Sequence, residues 1–144
     1  MSLFSAISVS ATGMTAQRTR AEILAQNLAN AETTRTPEGG PYRRRDVVFE
    51  TANSELTFGT ALRDAETGLQ GVQISDVRVD DSEAPKRYLP GHPDADKDGY
   101  VSMPKINVAE DMVDLMGAAR GYQANVAAVS AVKDMIQHSI ELMK

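Results

Sequence analysis

The residues best suited to chemistry are Asp94, Asp96 and Asp98, spaced by two and followed by Gly99 and Tyr100. Acidic groups at alternate positions with glycine at the sixth reproduce the first half of an EF-hand calcium loop, whose carboxylates supply hard oxygen ligands. The second half does not follow. Position twelve is Lys105 where a bidentate glutamate is needed, and Pro104 stands where the exiting helix should run. The same residues suit a run of Asx turns, with Gly99 carrying the backbone through the bend, and the ligand count favours that reading. His92, between Gly91 and Pro93, and His138, on a polar helical position, have no second base or nucleophile tied to them. Arg43, Arg44 and Arg45 form the one basic run, which suits solvation or pairing with Asp46 and Glu50 better than phosphate binding.

Composition removes most other chemistry. The 144 residues amount to at most one ordinary domain, with no cysteine and two histidines. A disulfide framework, a thiol nucleophile and a Cys/His zinc site are excluded, and little room remains for a Ser-His-Asp triad. The net charge of −5 opposes broad nucleic-acid binding, which needs a cationic surface to displace counterions. No stretch approaches the roughly 18 apolar residues of a membrane span, so direct membrane insertion is not expected. The first ten residues lack the basic leader and dense apolar run of a cleavable secretory signal. The expectation is a non-enzyme without cofactor or metal.

The elements that position these residues divide the chain in three. All six prolines fall between Pro37 and Pro104, with seven of the ten glycines, so residues 35–104 read as a β-containing or extended insert between a helical segment 1–34 and another at 105–144. Apolar spacing is regular in the last segment: Val108, Met112, Leu115, Ala119, Tyr122, Val126, Val129, Lys133, Ile136, Ile140 and Met143 alternate steps of four and three. That is the 3.5-residue repeat of a helix packed along its length against another, with Lys133 the misfit. Ile7, Ala11, Met14, Ala21, Ala25 and Leu28 follow the same alternation, interrupted at Arg18. The fold expected is mainly α, with long N- and C-terminal helices paired as a coiled coil into one discontinuous domain. Such a hairpin has one seam and no enclosed core, so Val113, Met116, Val132 and Met135 should stay exposed and call for neighbouring helices.

Short strands are expected at 46–50, 72–79, 86–89 and 100–103, with a long loop over 53–71. Val72 and Ile74 share one face while Val77 and Val79 share the other, which places a bulge or break near Asp76. Asn30 suits the left-handed conformation that ends helices, and Asn27, three residues earlier, is placed to bond across to another helix.

Gln17-Arg18-Thr19-Arg20 and the run Asn27-Leu28-Ala29-Asn30-Ala31-Glu32-Thr33-Thr34 resemble the N-terminal signature of bacterial flagellar axial proteins. Closer to the proximal-rod members are Thr36-Pro37-Glu38-Gly39-Gly40-Pro41-Tyr42-Arg43-Arg44, the block from Pro90 to Val101, and Ala119-Arg120-Gly121-Tyr122-Gln123-Ala124-Asn125. The chain thus resembles the flagellar basal-body rod proteins over nearly its whole length, departing where Lys105 replaces the family's usual Asn after Pro104. The resemblance implies a subunit of the periplasm-spanning rod, exported by the flagellar type III apparatus without signal cleavage. Its partners would be its own copies, the other proximal rod subunits and the distal rod protein. Terminal helices would line the export channel and carry torque, and a cysteine-free chain suits that oxidising route.

On this reading the assembly residues are Ile7, Met14, Leu28, Val108, Met112, Leu115, Tyr122, Val126, Val129, Ile136 and Ile140. Asn27 and Asn30 close the first helix, and Arg120 and Asn125 offer polar bonds between subunits. Leu115→Asp is expected to prevent rod assembly while leaving the insert foldable. Two rival readings are a calcium-responsive module built on Asp94, Asp96 and Asp98, and a generic coiled-coil adaptor.

Overall fold

The computed structural model describes residues 3–52 and 70–142. The loop expected over 53–71 lies outside the described residues except for its last two, and Met143 lies outside them as well. Helix α1 spans Leu3–Ala29 and runs unbroken through Gly13. Strands β1 (Arg45–Thr51), β2 (Val72–Val79), β3 (Lys86–Tyr88) and β4 (Tyr100–Ser102) follow, and helix α2 spans Val108–Glu141. Asn107 caps α2 by accepting the Glu110 amide on its side chain at 3.5 Å, while Glu110 and Asp111 put negative charge in the first turn, where the helix dipole favours it. At 1.5 Å per residue, the 27 residues of α1 and 34 of α2 are about 40 and 51 Å long.

The insert consists of two antiparallel ribbons. In the first, Arg45 faces Val79 and Thr51 faces Val72, but Val48 faces Asp76 while Phe49 faces Ile74. Ser75 is therefore the extra residue of a bulge, and its hydroxyl donates to the Val48 carbonyl at 3.3 Å. This is the irregularity that the change of face between Ile74 and Val77 implied. In the second ribbon, Tyr88 faces Tyr100, their rings meeting edge to face at 5.3 Å. Gly99 enters β4 at φ +82°, and a Cβ there would come 2.9 Å from the Tyr88 ring, so both backbone and packing require glycine.

The helices lie antiparallel: Gly13 meets Asn125, Gln17 meets Gly121, and Arg20 reaches Asp114 at 3.7 Å. The contact is not the heptad seam expected. Its α2 stripe is Asp111, Leu115, Ala118, Gly121, Asn125, Val129, Val132 and Ile136, all buried or half-buried, whereas Val108, Met112, Ala119, Tyr122, Val126 and Ile140 are exposed. The helix is rotated by about one residue, so Val132 is buried rather than exposed and Lys133 stands in solvent. Backbone proximity explains the choice, because a Cβ on Gly13 would lie 2.9 Å from Asn125 Oδ1 and one on Gly121 3.1 Å from Gln17 Cδ. Small residues permit that approach, and the larger Met112, Tyr122 and Val126 do not. On α1, Ala16, Leu24 and Asn27 are buried, Ile7, Met14 and Leu28 are half-buried, and Ala11 and Ala25 are exposed.

Gly13→Val is accordingly expected to cost about 1–3 kcal/mol through overpacking against Asn125. Thermal unfolding of the full chain should register it as a midpoint lower by several degrees. An unchanged midpoint would show that the helices do not need to approach this closely.

Among the described residues, the buried apolar side chains are Ala16, Leu24, Val101, Pro104, Ala118 and Val132. Two of these are alanine and Val101 and Pro104 belong to the insert, so the hairpin encloses very little, while Met112, Val113, Met116, Tyr122, Val126, Met135 and Ile140 crowd the outside of α2. A single chain rarely leaves this many large apolar side chains uncovered along one helix.

Candidate assembly interface

The polar residues of the termini build an anchor inside the chain. Asn27 is fully buried, donating through Nδ2 to the Arg45 carbonyl at 2.8 Å and accepting on Oδ1 from the Arg45 amide at 3.0 Å and the Tyr42 hydroxyl at 3.1 Å. Its amide therefore meets the backbone of β1 as a neighbouring strand would. Within the single chain Asn27 thus bonds to a strand and a tyrosine and not to another helix. Asn30 bonds the Gln26 carbonyl through Nδ2 and accepts from the Thr33 hydroxyl, closing α1 through its side chain; no non-glycine residue among those described has positive φ, so the left-handed cap is not used. Burial of the Tyr42 phenol pushes its pKa up, and the Arg45 guanidinium stands 5.9 Å from its ring.

Next to this, Arg44 donates through Nε and Nη2 to Asp111 Oδ1 at 3.1 and 2.7 Å, and through Nη1 to Asp46 at 2.6 Å. The hydrogen bond to Asp111 raises the Arg44 pKa, so the guanidinium stays charged. Asp111 is fully buried, and its second oxygen has no hydrogen-bond partner among the described residues. The anticipated Arg44–Asp46 pair is present; the Arg44–Asp111 pair was not anticipated, because 67 residues separate the two and an acid in a first helical turn reads as a solvated dipole partner. Only the position of Asp111 four residues before Leu115 and seven before Ala118 hinted at burial.

Asn27→Leu is expected to leave the Arg45 amide and carbonyl unpaired in a dry site, at about 1–3 kcal/mol for each group. Hydrogen exchange should show β1 losing protection before the middle of α2. Equal protection in the variant would mean that the side chain does not hold the strand.

The acidic turn is used internally. Asp94 accepts from the Thr34 hydroxyl at 2.7 Å and pairs with Arg35, and Asp96 Oδ1 accepts the Asp98 and Tyr100 amides at 3.0 and 2.8 Å. These contacts make an Asx turn and tie the β3–β4 hairpin to the exit of α1. Lys105, at the family departure, donates to Ser82 Oγ at 3.0 Å. Hydrogen bonds from Ser82 hold the Asp80 carboxyl below the ordinary range, so that contact exists at neutral pH and disappears as acid titrates Asp80.

Outside, an open groove of about 390 Å³ runs beside the helix contact. Ala21 and Ala25 line it from α1, Ala118, Ala119 and Tyr122 from α2, with the Arg18–Glu22 ion pair at 2.9 Å on the rim. Arg18, Ala21 and Ala25 are the α1 heptad positions and Ala119 and Tyr122 the α2 ones. These central positions of the two stripes therefore stand on the two walls of one groove instead of facing each other. Of the remaining expected residues, Val108, Met112, Val126 and Ile140 extend the α2 stripe into solvent, and Leu115, Val129 and Ile136 face α1. Asn125 donates to the Gly121 carbonyl at 2.9 Å and covers Gly13, inside the hairpin, while Arg120 is exposed.

No helix among the described residues is long and apolar enough to cross a membrane. Residues 7–35 match the family model for flagella basal body rod proteins, and residues 97–142 the model for the C-terminal part of flagellar basal body rod FlgEFG proteins. The chain is 39% identical to the flagellar basal-body rod protein FlgC of Borreliella burgdorferi, over all of this chain and 99% of that one. It is 37% identical to FlgC of Bacillus subtilis over the full length of both. Against FlgC of Escherichia coli O6:H1 it is 40% identical over 99% of this chain and 98% of the relative. With two long terminal helices around a small β insert and end-to-end similarity of this degree, the chain belongs to the FlgC family of flagellar basal-body rod proteins, structural subunits and not enzymes.

Proposed function

We propose that this subunit builds the rod by taking a helix of a neighbouring subunit into the groove between Ala21, Ala25, Ala119 and Tyr122. The observation that carries this is the placement of the central heptad positions, Ala21 and Ala25 on α1 and Ala119 and Tyr122 on α2, on the walls of a groove that the chain itself leaves open. A 3.5-residue repeat matches a helix running alongside, and the two walls present it with a ready pair of flanks. Ile7, Met14, Val108, Met112, Val126 and Ile140 continue the same surface towards both ends, and Arg120 is free to make a polar bond across it. Helices interlocked in this way resist shear, which is what transmitting torque demands. Segments 1–34 and 105–144 act as one discontinuous helical domain around the export channel, with 35–104 as the outer insert. Its neighbours are further copies, the other proximal rod subunits and the distal rod protein, and its route is the flagellar type III apparatus without signal cleavage. Neither rival reading gains support: Asp94 and Asp96 are committed to Thr34, Arg35 and backbone amides, and an adaptor would need helices that stand alone.

Circular dichroism and sedimentation of the full chain over a wide concentration range test the reading. With so little buried inside the hairpin, the dilute chain should fold cooperatively but fall short of its full helicity, which should rise as the chain associates. Full helicity in a strictly monomeric chain at the lowest concentration contradicts the proposal and favours the adaptor.

A further inference from the structure

The helix contact has a property that the assembly reading does not use: at its centre no pair of large side chains interlocks to fix how far α2 slides along α1. Its central surface is Gly13, Ala16, Gln17, Ala118 and Gly121, small or flexible side chains, and a shift of one turn would set Gly117 or Asn125 where Gly121 meets Gln17. The one ion pair across it, Arg20 with Asp114 at 3.7 Å, is exposed and sets little. The helices also lack a short connection, since residues 30 to 107 intervene. Yet the end of α1 and the start of α2 are gripped by consecutive residues: Asn27 holds the Arg45 backbone, and Asp111 holds the Arg44 guanidinium. Adjacent Cα atoms are about 3.8 Å apart, so the two helix ends are referred to a single point on the chain.

From this we infer that Arg44-Arg45 is a register ruler: the insert, through Asn27 and Asp111, sets the axial alignment of α1 against α2. The Arg44–Asp111 pair is poorly built for stability alone, because Asp111 Oδ2 is buried without a partner among the described residues. A buried polar pair with one oxygen unsatisfied is a costly way to hold a fold and an effective way to select one alignment, as polar residues do in coiled-coil seams. A slipped helix would carry Asp111 about 6 Å from Arg44 and strand it in an apolar setting.

The cysteine-free chain permits a direct test by paired cysteines in the full-length protein. Gln17→Cys with Gly121→Cys reports the observed alignment, since a Cβ at 121 lies 3.3 Å from Gln17 Cγ. Gln17→Cys with Gly117→Cys, and with Asn125→Cys, report slips of one turn either way. In the parent only the 17–121 pair should oxidise to a disulfide in high yield. In the double variant Arg44→Met, Asp111→Leu, which removes both charges together, unfolding should be little changed, the 17–121 yield should fall several-fold, and a slipped pair should appear. Retention of the parent pattern would overturn the inference. So would outright unfolding of the double variant, because the pair would then be a stabiliser and not a ruler. Asn27→Asp, which keeps the shape but replaces the donor to Arg45, should blur the pattern in the same direction; an unaltered pattern there counts equally against it.

Discussion

Val126→Asp is expected to abolish swimming and leave no rod density in isolated basal bodies, while the purified chain unfolds as the parent does. Val126 is 41% exposed in the single chain, so the substitution removes little that the hairpin itself buries, and surface changes of this kind cost within about 0.5 kcal/mol. In the assembly it lies on the heptad stripe beside Tyr122, where a neighbouring helix would bury it. An unpaired carboxylate in such a contact costs several kcal/mol, and each 1.4 kcal/mol is a tenfold loss of affinity, repeated at every copy. Leu115→Asp separates these effects badly, because Leu115 faces α1 and its replacement would damage the hairpin first. Swimming cells with normal rods would remove the α2 stripe from the interface.

Arg44→Ala should be the most destabilising substitution in the isolated chain. It leaves Asp111 fully buried with neither of its hydrogen bonds, and breaking a buried pair from one side costs about 3–5 kcal/mol. Equilibrium unfolding in urea should show the whole loss in the midpoint. Arg44→Lys should recover only part of it, since an ammonium cannot reproduce the two donors that Nε and Nη2 direct at one oxygen. Asp111→Asn, which removes the charge and keeps the shape, should fall well below the alanine effect. If all three variants unfold with the parent, the pair is solvated and the anchor does not exist as described.

Local pattern made much of this architecture legible. The change of face from Ile74 to Val77 located the bulge at Ser75 because strand parity has a period of two and one extra residue reverses it. Proline placement bounded the insert, its last proline, Pro104, standing just ahead of α2. The stripe that packs inside the hairpin was not legible. It contains Asp111 and Asn125, which any count of apolar residues rejects, and it buries them against Arg44 and Gly13, both distant in sequence. Counting apolar residues points to the neighbouring stripe instead, of which Leu115, Val129 and Ile136 are half-buried and Val108, Met112, Ala119, Tyr122, Val126 and Ile140 are exposed. The spacing of a seam is the same whether its own chain or another fills it. Asn27 illustrates the same limit: an amide on an apolar face reads as a contact between helices, while its partner here is a strand that begins 18 residues later.

The most direct test of the central claim is a side-chain-resolution map of the assembled rod, read at the groove between Ala21, Ala25, Ala119 and Tyr122. The account predicts a helix of a neighbouring subunit seated along it, covering Met112, Tyr122 and Val126. A rod in which that groove faces solvent or the export channel, with Met112 and Val126 uncovered, would contradict it.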